Sequence, residues 1–208
     1  LPQDEQALKL IMETIDPIAI ARVLLIYVHV LAIAAAAAAV AFGDFAIFAR
    51  QRIDRTMLET ASWFASIALA ALWISGLTVI IMDIGFDLQQ LADKPKLLAK
   101  LTVVMVLTIN SLALHWLAFP RFYQPHADAL RAATLPAVFG AVSATSWIYA
   151  AFVGVAKPLA VVLGYSGFIG LFALLLLGAI ALALLAVRPC LASRMGSVQV
   201  SGGSVVAG

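Results

Sequence analysis

The sequence predicts an all-α protein, an integral membrane bundle of five transmembrane helices, and three observations carry that reading. Hydrophobic residues make up 64% of the chain and charged residues 12%, against about 45–50% and 25% in soluble domains. The apolar residues fall into five runs, each near or above the roughly 20 residues needed to cross a 30 Å hydrocarbon core at 1.5 Å per residue. The charged residues cluster in the short connections between those runs. The formal net charge is +2 with no block of like charge, which removes the electrostatic footprint of a nucleic-acid-binding protein.

Taken in order, residues 3–16 place Leu8, Ile11, Met12 and Ile15 on one helical face opposite Asp4, Glu5 and Glu13. Residues 1–17 are therefore expected to form an amphipathic segment on the membrane surface. The transmembrane domain is expected over 18–188, with spans at Ile18–Ala49, Ala61–Met82, Leu97–Phe119, Leu135–Ala156 and Leu159–Val187. The first and last exceed the slab thickness and must tilt, kink or project. Between spans 2 and 3, Phe86–Ala92 (FDLQQLA) reads as a short interfacial helix. Residues 189–208, rich in Gly, Ser and Val and without periodicity, read as a flexible C-terminal tail.

Arg50, Arg52, Arg55, Arg121, Arg131, Arg188 and Arg194 mark one membrane face; Lys9, Arg22, Lys94, Lys96, Lys100 and Lys157 mark the other. Lys and Arg alone set orientation under the positive-inside rule, and seven against six is nearly a tie. The compact Arg cluster after span 1 favours an N-terminus outside and a cytoplasmic C-terminus. Cys190, the one cysteine, excludes an internal disulfide and any CxxC motif.

An ionisable side chain inside a span is costly, by about 2.5–3.5 kcal/mol or more, and marks a functional site by default. His29 is such a residue. Counted back from the arginine face, His29 and Lys100 lie roughly 28–30 Å deep and His115 only about 6 Å. His29 and Lys100 therefore share a layer that His115 cannot join. A neutral imidazole in an apolar slot suits an axial ligand to haem iron, and the Lys100 ammonium suits a propionate or a proton-transfer role. Met82, at the His29 level of the antiparallel span 2, is a candidate soft ligand to haem or copper. His115 is the alternative iron ligand. Tyr27, Trp73 and Trp147 are candidates for lining the pocket, Asn110 for an interhelical hydrogen bond, and Asp44 for pairing with Arg50 and Arg52. Ser143 and Ser146 fit helix packing. No GxGxxG, P-loop or HExxH signature occurs.

The YVHVLA of span 1, the glycine-broken LALAALWISGLTVII of span 2 and the PKLLAKLTVVMVL opening span 3 resemble two related groups of small bacterial membrane proteins. These are the oxygen-independent protoporphyrinogen IX oxidases and the copper-resistance D proteins. The resemblance covers spans 1–4 and implies a bacterial inner-membrane protein in which His29 ligates haem b and Lys100 is essential. Asn110 stands where the oxidase group carries a further histidine, and the Arg-Asn-Glu stretch before span 4 is missing. Three functional classes follow: a haem b protein with a redox or electron-transfer role, a non-enzymatic accessory subunit of a larger membrane complex or homo-oligomer, and a copper-handling protein.

Overall fold

The computed structural model describes residues 16–49, 54–123 and 128–202, all helix and turn. Five helices are long and apolar enough to cross a membrane: Pro17–Phe48, Thr56–Ile84, Pro95–Phe122, Ala129–Val155 and Ala160–Met195. The expected amphipathic segment before Pro17 lies outside the described residues.

Local chemistry explains where the helices begin and end. Helix α1 (Pro17–Phe48) opens on Asp16, whose carboxylate accepts the Ile18 N–H at 2.9 Å, with Pro17 in the first turn. Helix α2 (Arg55–Ile84) is capped by Asp54, which accepts from the Met57 N–H at 3.1 Å, and stops at Gly85, whose φ of 62° a side chain would disfavour. The span expected to start at Ala61 is thus a longer helix, because the polar residues around Arg55 form its first turns. The short helix α3 (Leu88–Ala92) lies where FDLQQLA places it.

Helix α4 (Pro95–Ala113) passes through a π-turn at Leu114–Ala118 into α5 (Phe119–Tyr123). After α6 (Ala129–Ala132), α7 (Thr134–Val155) and α8 (Ala160–Leu182) complete the spans. Gly164, with φ 58°, kinks the first turns of α8. A second π-turn, Ala183–Val187, leads into α9 (Arg188–Gly202). The body therefore does not end at 188, as the composition suggested. Leu191 and Ala192 are buried, and it is this packing that low local hydropathy could not reveal.

Helices α1 and α2 pack along their length as a hairpin. The buried residues of α1 are Ala32, Ala36, Ala39 and Ala46, small side chains that let two backbones approach. The alanine run after His29 thus serves helix packing. Helices α4, α7 and α8 form a second unit around Ala99, Val103, Tyr149, Val153, Ala156, Phe168 and Phe172. Asn110 donates its amide N–H to the Phe139 carbonyl at 3.0 Å, the interhelical bond expected of it. Tyr149 donates to the Phe168 carbonyl and Thr102 meets Tyr165. Ser146 is fully buried in the helix packing.

The hairpin and the three-helix unit join at the arginine-bearing end through Ala46, Leu58, Phe119, Phe122, Ala133, Leu191 and Ala192. Basic side chains close helix C-termini, where carbonyls lack intrahelical partners. Arg194 donates to the Ile47 carbonyl at 3.1 Å and Lys96 to the Gly154 carbonyl at 2.9 Å. At the opposite end Arg22 and Asp83 pair at 2.7 Å and pin α1 to α2.

Two consequences are measurable. Phe168 is 0% exposed, and Phe168→Ala is expected to destabilise the protein by about 2 kcal/mol, less than in a soluble core because lipid replaces water as the alternative environment. Unfolding in mixed micelles measures this, with the 79%-exposed Leu185 as a near-neutral alanine control.

Asp87 caps α3, its carboxylate accepting from the Gln90 and Gln89 N–H groups and the Gln90 side chain. These bonds hold its pKa below the usual carboxylate value. The stabilisation of α3 is therefore complete above the ordinary aspartate pKa of about 3.9 and lost as pH falls through the lower folded value. Amide-exchange protection at Gln89 and Gln90 should fall over that acid window in the wild type and be absent at all pH values in Asp87→Ala.

Candidate functional site

The site starts from a side chain inside α1. His29 Nδ1 lies 2.8 Å from Ser75 Oγ on α2, and Ser75 Oγ in turn lies 2.6 Å from the Ala71 carbonyl. A carbonyl can only accept, so the single serine proton goes to Ala71 and Ser75 Oγ must accept from His29. The proton of a neutral His29 therefore resides on Nδ1. Nε2 keeps its lone pair, free to accept a proton or bind a metal. Fixing the tautomer through the other ring nitrogen is the arrangement that orients histidine ligands in metal sites.

The next residue makes room for the ring. A Cβ built on Gly76 would stand 3.4 Å from His29 Cε1 and 3.9 Å from Nδ1, so glycine allows α2 to pass close to the imidazole. Ser75 is 2% exposed and completes a buried contact between the two hairpin helices.

His29 lines a cavity of about 280 Å³ between the hairpin and the three-helix unit. Lys100 on α4 lines the same cavity, as do Trp73, Gly76 and Trp147, and the remaining lining residues are apolar. The shared layer expected for His29 and Lys100 is realised in space. At this level Trp73 donates its indole N–H to Thr108 Oγ1 at 2.9 Å, tying α2 to α4. Thr108 also donates to the Val104 carbonyl, leaving its oxygen an acceptor for Trp73.

Other candidates lie elsewhere. Met82 is 38% exposed and does not line the cavity, and Tyr27 is 60% exposed on the outer surface of α1. Tyr27 is near the His29 level but turned outward, whereas Met82 lies next to the Arg22–Asp83 pair, about 10 Å along α2 from Ser75 at 1.5 Å per residue. His115 sits on the π-turn, edge-on to Phe119 with ring centroids 5.9 Å apart. It is absent from the cavity lining. The partners proposed for Asp44, Arg50 and Arg52, and the loop residue His126, lie outside the described residues.

A second cavity of about 150 Å³ lies toward the arginine-bearing end and includes Asp44 in its wall. Leu69, Leu107 and Trp147 belong to both linings, so the two spaces adjoin.

Ser75 and Gly76 are the residues beside His29 that sequence reasoning passed over. Their signal is the Ser-Gly pair at the centre of WISGL, a hydroxyl and a bare backbone within an apolar span. That signal acquires meaning only once α2 is set against α1.

Fold and site together define a small helical protein with five potential membrane spans and an interior cleft holding a histidine and a lysine. Comparisons with protein-family models, curated proteins and solved structures found no match. Functional assignment therefore rests on the chemistry of the cleft.

Proposed function

We propose that the cleft binds haem b, with His29 as the axial ligand, and that the protein has a redox or electron-transfer role in a bacterial inner membrane. The observation that carries this reading is the His29–Ser75–Ala71 chain, because it leaves a neutral imidazole with its Nε2 lone pair uncommitted.

The donor set favours a metal that brings its own equatorial ligands. Among the described residues no group of three His, Cys, Asp or Glu side chains could hold a bare ion, and Met82 does not face the cavity that His29 lines. A single imidazole suits iron already held by a porphyrin, and this argument ranks copper handling below haem. Lys100 supplies a cation on the opposite wall, where a propionate would neutralise it. The apolar walls, including Trp73 and Trp147, exclude water and offer flat surfaces to a macrocycle. A cavity of about 280 Å³ is at the small end for ligand sites, so a macrocycle would require the hairpin and the three-helix unit to part.

Bound haem would supply one-electron chemistry. The chain's own tasks are to hold Nδ1–H on His29, to keep Nε2 available, and to place the Lys100 charge across the cleft. We read the arginine-bearing face as cytoplasmic, following the positive-inside rule.

The test is a reduced-minus-oxidised visible spectrum of protein purified from cells supplied with haem. A difference spectrum with resolved haem b bands is expected. A colourless protein overturns the reading and leaves an accessory subunit, covered by other helices, as the successor.

A further inference from the structure

The second cavity carries an inference independent of the haem reading. Each of four helices contributes one oxygen-bearing side chain to its wall: Asp44 from α1, Ser62 from α2, Ser111 from α4 and Ser143 from α7. Among the described residues no other charged side chain lines it.

None of these four side chains makes a hydrogen bond among the described residues. Hydroxyls in apolar helices often bond instead to a carbonyl one turn back. Thr60, Ser66, Thr78, Thr102 and Thr108 all do so here. Lacking such bonds, the half-buried serine hydroxyls and the exposed Asp44 carboxylate are left open to partners that enter the cavity, and a polar group beside apolar walls gains by finding one. About 150 Å³ of space holds several waters, each with a share of about 30 Å³.

We propose that this cavity is a hydrated binding site for a small monovalent cation, a proton carried as hydronium or an alkali ion. Asp44 supplies the charge, and Ser62, Ser111 and Ser143 supply neutral oxygens. An all-oxygen donor set selects hard cations, and one carboxylate balances one positive charge. Access is from the arginine-bearing end, where the walls are built from the end of α1, the start of α2, the π-turn after α4 and the first half of α7. Arg194, bonded to the Ile47 carbonyl, stands beside that wall and disfavours a second cation. Leu69, Leu107 and Trp147 form the apolar stretch of wall shared with the His29 cavity.

Trp147 lines the site and reports on it. Purified protein is titrated with sodium, potassium or lithium chloride against N-methylglucamine chloride at constant ionic strength, and separately with pH. The reporter signal is the fluorescence difference between wild type and Trp147→Phe. A saturable change is expected, with apparent affinity reduced at least tenfold in Asp44→Asn and reduced severalfold in Ser111→Ala/Ser143→Ala. Saturation by alkali ions at fixed pH identifies an alkali site; a change driven by pH and indifferent to alkali ions identifies hydronium. No change in either titration, or an undiminished change in both variants, overturns the proposal. The double serine variant keeps the test decisive if Asp44→Asn does not fold, and the readout applies equally to haem-free protein.

Discussion

Alanine in place of His29 is expected to remove the haem b bands from the purified protein, with bound haem falling at least tenfold relative to wild type while the helical content is kept. The substitution deletes the one imidazole lining the larger cavity, and with it the Nε2 lone pair available to iron. It also strands little behind it, because Ser75 Oγ still donates to the Ala71 carbonyl. Loss of haem without unfolding is therefore the expected pattern, read from the visible spectrum alongside far-ultraviolet circular dichroism. Ser75→Ala tests the same geometry more finely. It keeps the ligand but releases Nδ1, and removal of such an orienting partner typically costs about 10–100-fold in metal affinity. Unchanged bands in His29→Ala would withdraw its role and make His115 the first candidate.

The second large effect is expected from Gly76→Leu. The built Cβ already stands 3.4 Å from His29 Cε1, and Gly76 lines the cavity, so the rest of a leucine side chain must either enter that space or push α2 from α1. Either outcome displaces the imidazole or fills the site, and haem content should fall at least tenfold. Gly178 has nothing within 4 Å of a built Cβ, so Gly178→Leu should keep wild-type haem content. Haem per protein, from the pyridine haemochrome absorbance, separates the two. Equal retention in both variants would show that haem, if bound, sits away from the His29 ring.

Much of the fold was legible because helix formation and bilayer compatibility are read residue by residue. The start of span 1, expected at Ile18 and found at Pro17, the short helix within FDLQQLA and the interhelical role of Asn110 all follow from local residue chemistry. The fifth helix was less legible. Arg188 and Arg194 looked like the edge of the membrane body, yet they bond the Leu130 and Ile47 carbonyls, and the helix carrying them packs Leu191 and Ala192 into the core.

The candidate site was half legible. Counting rise along the helix puts His29 and Lys100 at one depth, and both line one cavity. The same count admitted Met82 because span 2 was expected to start at Ala61; α2 starts at Arg55, which brings Ser75 to the His29 level and carries Met82 past it. These helices are apolar on nearly every side, so no polar stripe declares which face turns inward. Ser75 and Gly76 were overlooked for the same reason.

What the sequence by itself determined is the number and approximate position of the apolar helices, together with the presence of an ionisable pair at a shared depth. These depend on hydropathy, caps and rise per residue, all of which are local. Only the tertiary structure decided that Ser75 accepts a hydrogen bond from His29, that Gly76 admits the ring, and that Asp44 shares a cavity with three serines from three other helices. Those relations depend on how each helix is rotated against its neighbours, and that rotation is set by packing between segments far apart in the chain.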